Sequence, residues 1–493
     1  MGHRIRILGL FLVALFGLLF LQLNRIQVLD ANKLANAPGN SRNLTNQFSS
    51  ARGAILTSDG AVVADSVPSN DIYHFQRNYP NGKLYADVSG YDSIIYGLDG
   101  VEAYYNKYLQ SHSLATNSIS ALINPKVGTD NVVLTINSKL QQTAQTAFGS
   151  LRGAAVAIDP STGAILAMYS SPSYDPNLLA SHSGSVEINA WKSYLADPAQ
   201  PLLARPYRRS YPPGSTFKIV TSSAVYDHNP ALAVKSYPYV TQIPLPDTTN
   251  VLANYAHESC GGTIPTLLAV SCDTGFASIG LDLGAANLAA EATAFGFGKV
   301  PPIDLFGAAA SQFPSAASFA TRLPTLAYAS IGQYNVQATP LEMALAAAAI
   351  ANKGVIMAPH VMKEVTDSQA RVIFSYANHT WLVATSPSTA ASVTTLMEGV
   401  VTHGTAAGIA LPGITIAAKT GTAQINLSAA NQASPIGNDN WMIAFAPAQN
   451  PTIAVAVVVP AQPGITSNST GAQYAGPIVK AILSAALGVG SGG

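Results

Sequence analysis

An uninterrupted apolar run from Ile7 to Leu21, reaching Leu23 across Gln22, follows His3, Arg4 and Arg6. About 17 residues is the lower limit for a helix crossing the hydrocarbon layer. Basic residues ahead of such a run keep that end in the cytoplasm. The pattern predicts a cytoplasmic tail over 1–6, a membrane anchor over 7–23, and the rest of the chain outside. A cleaved signal peptide is the competing reading. It needs small residues soon after the apolar run, and Gln22-Leu23-Asn24-Arg25-Ile26-Gln27 offers none. Ala35-Asn36-Ala37 has the shape of a cleavage site but lies far downstream and precedes Pro38.

Behind the anchor the periodicity divides the chain at about residue 149. Over 24–149, short strand-like runs alternate with turn residues. Residues 51–56 and 61–64 read as two strands around Ser58-Asp59-Gly60. Glu102 to Gln110 is predicted as a short helix, and Ser138 to Phe148 as a clearer one begun after Asn137. From 150 to 493 the pattern sharpens. Ala154–Ile158 and Ala164–Met168 flank Asp159-Pro160-Ser161-Thr162-Gly163, which predicts a hairpin. Trp441–Ala446 and Thr452–Val459 predict a second hairpin, and a helix is expected from about Pro477 to Leu487. Ala-rich helical stretches lie between, as at Pro340–Asn352 and Ser386–Thr402. Strands at both ends of a helical middle imply an α+β fold, one mostly antiparallel sheet with helices packed on it.

Composition narrows the function classes. Only 10% of the 493 residues are charged, and 25 basic residues balance 25 acidic ones. A neutral, charge-poor chain has no electrostatic footprint for nucleic acid. Its 48% apolar content argues for a packed core and against disorder. Two cysteines, Cys260 and Cys272, make neither a disulfide framework nor an iron–sulfur site.

Three short motifs carry chemistry. In Pro212-Pro213-Gly214-Ser215-Thr216-Phe217-Lys218, the prolines and glycine end an extended segment and a helix follows. Ser215 and Lys218, three apart, share one helix face. A neutral amine there can take the hydroxyl proton, and a helix N-terminus favours the developing alkoxide. The second motif is Ser271-Cys272-Asp273. The third, Lys419-Thr420-Gly421-Thr422, ends the alternating run Ile414–Ala418 and is expected on a strand. A strand-borne lysine can bind a carboxylate or lower a neighbour's pKa. The glycine lets a ligand backbone lie against the strand.

In this order the motifs resemble those of the serine penicillin-binding proteins and β-lactamases, a set whose signature is well known. Pro-Pro-Gly before the serine, Lys419-Thr420-Gly421-Thr422-Ala423-Gln424, Thr402-His403-Gly404-Thr405-Ala406 and Ser330-Ile331-Gly332-Gln333 extend the likeness. Arg52-Gly53-Ala54-Ile55 with Asp59-Gly60 looks like the pedestal of class B members. The resemblance implies the penicillin-binding transpeptidase fold, with helices on both sheet faces. It also implies a membrane anchor, a small mixed pedestal over 24–149 and a transpeptidase domain over 150–493.

The resemblance further implies a peptidoglycan D,D-transpeptidase acylated by β-lactams. Ser215 would be the nucleophile and Lys218 the general base. Ser271 would relay a proton, and Lys419, Thr420, Gly421 and Thr422 would hold the substrate carboxylate. Backbone N–H groups of Ser215 and Thr422 would form the oxyanion hole. Stem peptides and β-lactams are the implied ligands, and a polytopic glycan polymerase the implied partner. No cofactor and no metal is implied. Asp273 departs from the pattern, because Asn is usual there; its amide is lost and a charge is gained. A secreted β-lactamase would need neither pedestal nor anchor. A β-lactam sensor would add membrane or signalling segments. A non-catalytic scaffold on the same fold is the remaining rival.

Smaller features receive plainer readings. His257-Glu258-Ser259-Cys260 has metal-ligand residue types but no second cluster, so a structural role is expected. Arg205, Arg208 and Arg209 are expected on a solvated face. Cys260 and Cys272 lie outside the membrane, where thiols oxidise, and are expected to pair. The alternative is two buried thiols.

Overall fold

The computed structural model describes residues 2–26, 48–113, 127–320, 322–425, 437–466 and 468–489. The Ala35–Pro38 cleavage-site pattern lies outside the described residues.

A five-stranded antiparallel sheet organises the larger part of the molecule. Its strands are β1 (Gly153–Ile158), β2 (Ile165–Ser171), β3 (Ala417–Ile425), β4 (Gly437–Ala446) and β5 (Ile453–Val459). They lie in the order β2-β1-β5-β4-β3, so both predicted hairpins form and sit side by side. Every residue of β4 and β5 is buried. Strands covered on both faces read as continuous apolar runs rather than as alternation, which is how Ile453–Val459 reads. Six helices matter to the site: α1 (Ser138–Phe148), α2 (Lys218–His228), α3 (Asp273–Leu283), α4 (Pro340–Ala351), α5 (Pro387–His403) and α6 (Gly471–Leu487). Helices α1 and α6 pack on each other and on the sheet, and α4 crosses β1, β4 and β5. Pro340 through Ile350 are all buried; a helix apolar all round belongs in a core.

Two expected helices differ in extent. Residues 102–110 form two short helices, Gly100–Tyr104 and Asn106–Leu109, broken at Tyr105. The Tyr105 hydroxyl donates to Asp304 at 2.5 Å, and Glu102 accepts from Arg52 and Arg77 at 2.5 and 2.6 Å. These buried tertiary contacts outweigh the local helical pattern. The last helix starts at Gly471 rather than Pro477, because Thr470 and Gln473 close a capping box at its start. Pro477 is accommodated inside it, at the cost of one backbone hydrogen bond.

The predicted strand pair near the N-terminus also forms, with Ile55 opposite Ala64 and Leu56 opposite Val62. It belongs to a six-stranded sheet that runs 372–375, 362–366, 131–134, 55–56, 62–68, 75–78. Two of these strands come from the chain beyond residue 360, so the two sheets are laced together by the chain rather than joined at one linker. Pairing within this sheet is antiparallel except between 55–56 and 131–134. The N-terminal helix, Gly2–Asn24, buries no residue, and an 18-residue window in it has a mean hydropathy of 2.3. Length and composition suit it to a membrane.

Candidate active site

The nucleophile candidate is held by an unusual local backbone. Gly214 has φ +53°, a conformation costly for residues with a Cβ, and its N–H donates to Gly332 O at 2.9 Å. Trp441 Nε1 donates to Pro212 O at 2.9 Å and fixes the segment before it. The expected continuous helix through Ser215 and Lys218 is replaced by a 3₁₀ turn, Gly214–Phe217, leading into α2 at Lys218. Ser215 and Lys218 still fall on adjoining turns at the start of α2. Both are buried, Lys218 completely.

Ser271 closes the helix Ile264–Ala269. Its N–H donates to Leu268 O at 3.1 Å, and Cys272 N donates to Leu267 O at 2.8 Å. That pair of bonds is a Schellman cap, whose left-handed position usually holds glycine. Here Ser271 takes it, with φ +59°. Cys272 is then the N-cap of α3 and Asp273 its first residue, where the helix dipole favours a carboxylate. Asn254 braces this turn by accepting from Thr274 N at 2.8 Å. Cys260 and Cys272 form a disulfide, as their position outside the membrane led us to expect. Nothing in the sequence marked Asn254, a lone amide in an irregular stretch.

The third motif lies inside β3 rather than at its end, since the strand runs from Ala417 to Ile425. β3 is the edge of its sheet, with β4 on one side and the 3₁₀ turn of Ser215 packed close by. A Cβ on Gly421 would come within 2.8 Å of Pro213 O and 2.9 Å of both Thr216 Cγ2 and Trp441 Cβ. Only glycine allows the strand and the nucleophile turn to meet this closely. Lys419 points into the protein and is fully buried.

These elements bring the predicted side chains together. Lys218 Nζ donates to Asp273 Oδ1 at 2.7 Å, Ser271 O at 2.7 Å and Ser271 Oγ at 3.4 Å. Lys419 Nζ donates to the same Ser271 Oγ at 2.8 Å and to Thr420 O at 2.9 Å. Ser271 Oγ therefore bridges two buried amines. Among the described residues, no hydrogen bond joins Lys218 Nζ to Ser215 Oγ; the lysine is turned toward Asp273. Thr405 Oγ1 and Thr420 Oγ1 are 2.6 Å apart, and Thr422 Oγ1 accepts from Gly471 N at 3.3 Å. Thr405 lies in the 402–406 segment quoted above but carried no role there.

Electrostatics follow from burial. Removal from water lowers the Lys218 pKa, and the Asp273 charge acts against that shift. Lys419 is held well below its ordinary value, first by burial and then by the neighbouring Lys218, with Asp273 in opposition. Two amines this close cannot both carry a proton cheaply, so they titrate as a group. Ser215, Ser271, Asp273, Thr405, Thr420 and Thr422 line one cavity of about 950 Å³. A hydroxyl beside an amine of depressed pKa, at the end of an open strand edge, suits acyl transfer from an extended peptide.

A family model described as the penicillin binding protein transpeptidase domain matches residues 153–484, more than half of the chain. The chain belongs to this family. A second model, the penicillin binding protein A dimerisation domain, matches residues 52–132. The peptidoglycan D,D-transpeptidase PbpA of Mycobacterium tuberculosis is 36% identical, over 99% of each chain. PbpA of Mycolicibacterium smegmatis is 36% identical over the whole of both. Among solved structures, the ceftriaxone acyl-enzyme complex of M. tuberculosis penicillin-binding protein A superposes with a TM-score of 0.80 at 35% identity. It covers 90% of this chain and 100% of that one. Membership accounts for the mostly antiparallel sheet and for the three motifs converging on one cavity.

Two arginine readings need correction. Arg205 is buried, donating to Ser170 Oγ at 3.4 Å and to the carbonyl of Ala199. Arg208 pairs with Asp99 at 2.6 Å. Of the three, Arg209 alone is exposed. Arg205 and Arg208 fasten the segment before Ser215 instead of covering a solvated face. Among the described residues, no group of His, Cys, Asp and Glu could hold a metal.

Proposed function

We infer that the protein is a peptidoglycan D,D-transpeptidase that cross-links stem peptides through a Ser215 acyl-enzyme and is acylated by β-lactams. One observation carries this: Ser215 and Ser271 line one cavity beside the edge of β3, with Lys218 and Lys419 buried behind Ser271 and both bonded to its hydroxyl. The stem peptide lies along that edge, with its terminal carboxylate at Lys419, Thr420 and Thr422 and its backbone against Gly421.

Ser215 Oγ attacks the carbonyl of the penultimate D-alanine and gives its proton to the neutral amine of Lys218. The N–H groups of Ser215 and Thr422 receive the oxyanion. Collapse breaks the D-Ala–D-Ala bond, and Ser271 Oγ delivers a proton to the leaving nitrogen, replenished from the paired lysines. An amine of a second stem then attacks the acyl-enzyme, loses its proton to the same base, and returns Ser215 to its hydroxyl form. No step calls for a cofactor. Asp273 takes the place of an amide donor and sets the charge state of Lys218.

We further propose that residues 7–23 anchor the protein once, with 1–6 in the cytoplasm and both outer regions, 24–149 and 150–493, on the extracytoplasmic side. His3, Arg4 and Arg6 before the apolar helix support that orientation. A polytopic glycan polymerase is the proposed partner, since cross-linking acts on strands that such an enzyme makes.

Mass spectrometry of the protein after penicillin treatment tests the reading. One adduct is expected, on the peptide containing Ser215, and none in Ser215→Ala. An unlabelled wild-type protein would indicate a non-catalytic scaffold. An uncut N-terminus on the mature protein is expected from the anchor; a start near residue 24 or at Pro38 would remove it.

A further inference from the structure

We propose that Glu258 is the counter-ion for the side-chain ammonium of a stem peptide's diamino acid, held in the outer wall of the Ser215 cavity. The proposal rests on the transpeptidase reading above. Two carboxylates, Glu258 and Asp273, line that cavity, and no lysine or arginine does. Asp273 is bonded to Lys218 at 2.7 Å. Glu258 has no cationic partner among the described residues. Glu258 is therefore the carboxylate of this wall that is left without a bonded cation.

The backbone around Glu258 is fixed even though its side chain is exposed. Asn254 Nδ2 donates to Glu258 O and to Val240 O, each at 2.9 Å. Ala256 and His257 both have positive φ, +52° and +55°, so the loop turns sharply before Glu258. Residues without glycine's freedom in this region mark a conformation that the surroundings impose. Tyr255 OH reaches Asn468 O at 3.0 Å, and the Cys260–Cys272 disulfide ties the wall to the Ser271 turn. A carboxylate on so braced a loop can discriminate ligands by charge with little ordering cost.

The chemistry of the reaction supplies the cation. A cross-link needs a primary amine on the accepting stem, and an unlinked donor stem carries the same amine. The accepting amine must lose its proton and reach the Ser215 acyl carbon, so the ammonium at Glu258 arrives on the donor stem, whose side-chain amine stays protonated. The hydroxyl-lined end of the cavity at Thr405, Thr420 and Thr422 takes the carboxylate, so one ligand of mixed charge would satisfy both ends.

Steady-state kinetics on the full chain test the assignment. D-alanine release is compared between Nα-acetyl-Lys-D-Ala-D-Ala and its Nε-acetyl counterpart. Glu258→Gln should lower kcat/KM about fivefold for the free-amine donor and leave the acetylated one unchanged, as expected for losing one solvent-exposed ion pair. Raised salt should erase the wild-type preference, and Glu258→Asp should restore part of it. A variant with no change on the free-amine donor, or an equal loss on charged and uncharged donors, would overturn the proposal. A wild-type protein that penicillin does not acylate would overturn the enzyme reading instead.

Discussion

Lys218 Nζ and Asp273 Oδ1 lie 2.7 Å apart, with the lysine fully buried and the carboxylate side chain 22% exposed. The residue that departs from the family's usual asparagine thus makes a direct ion pair with the amine expected to act as base. Burial and the carboxylate pull that amine in opposite directions, and Asp273 acts on Lys419 in the same sense.

Asp273→Asn should lower the pH at which penicillin acylation is half-maximal. Deleting the carboxylate leaves burial less opposed, so both amines lose their protons at lower pH. An opposite charge this close is commonly worth about 1–3 pKa units, which sets the scale of the shift. Acylation rate constants across a pH series measure it. Superimposable profiles, or a shift upward, would show that the carboxylate does not govern the base.

Ser271 combines two properties that mutation can separate. Its hydroxyl bridges the amines, and its backbone occupies a left-handed cap at φ +59°. Ser271→Ala and Ser271→Gly both remove the hydroxyl, so both should slow acylation by about a hundredfold or more, the usual value of a positioned proton donor. Glycine alone relieves the backbone, by about 1–2 kcal/mol. Thermal melts should therefore rank Gly above Ala while the acylation rates stay alike. Equal melting temperatures would mean that the cap is unstrained.

What the sequence displayed and what it hid follow from the range of the interactions. The two hairpins were legible because β1, β2, β4 and β5 are apolar runs separated by turn residues, a purely local signal. Ser215, Lys218 and Lys419 were legible because their motifs are short and the glycines between them mark tight approaches. The 3₁₀ turn at Ser215 was not, because it depends on Gly214 bonding to Gly332, over a hundred residues away. Burial of Arg205 was equally hidden, since its partners Ser170 and Ala199 lie on other elements. The Schellman cap at Ser271 gave no signal because its diagnostic residue, glycine, is missing.

The disulfide should matter to both stability and site geometry. Cys260 and Cys272 are 12 apart in sequence, and closing a loop of that size contributes about 3 kcal/mol in the chain-entropy account. A Cys260→Ser, Cys272→Ser double variant should melt lower and be acylated more slowly, because the disulfide anchors the residue between Ser271 and Asp273. Thiol labelling of the denatured, unreduced wild type should detect no free cysteine. Two reactive thiols would remove the bridge from the account.

Glu342 should make the protein's stability fall as pH rises. It is fully buried at the start of α4, where the Ser311 hydroxyl and the Lys299 charge only partly offset the cost of burying its own charge. Burial pushes its pKa up to about 8, although the helix N-terminus favours its charge. The unfolded chain releases that proton near the ordinary glutamate value, roughly 4.3. Between the two values the folded state holds more protons than the unfolded one, so each rise in pH favours unfolding. The limiting slope for one such group is about 1.4 kcal/mol per pH unit. Asp87 and Glu291, also raised to about 8, add to the same trend. Glu342→Gln keeps the volume and deletes the titration, so its melting temperature should drop less between pH 5 and pH 8 than that of the wild type. Chemical denaturation at the two pH values gives the same comparison in free energy. Parallel losses in both proteins would mean that Glu342 is already ionised, with a partner that compensates its charge.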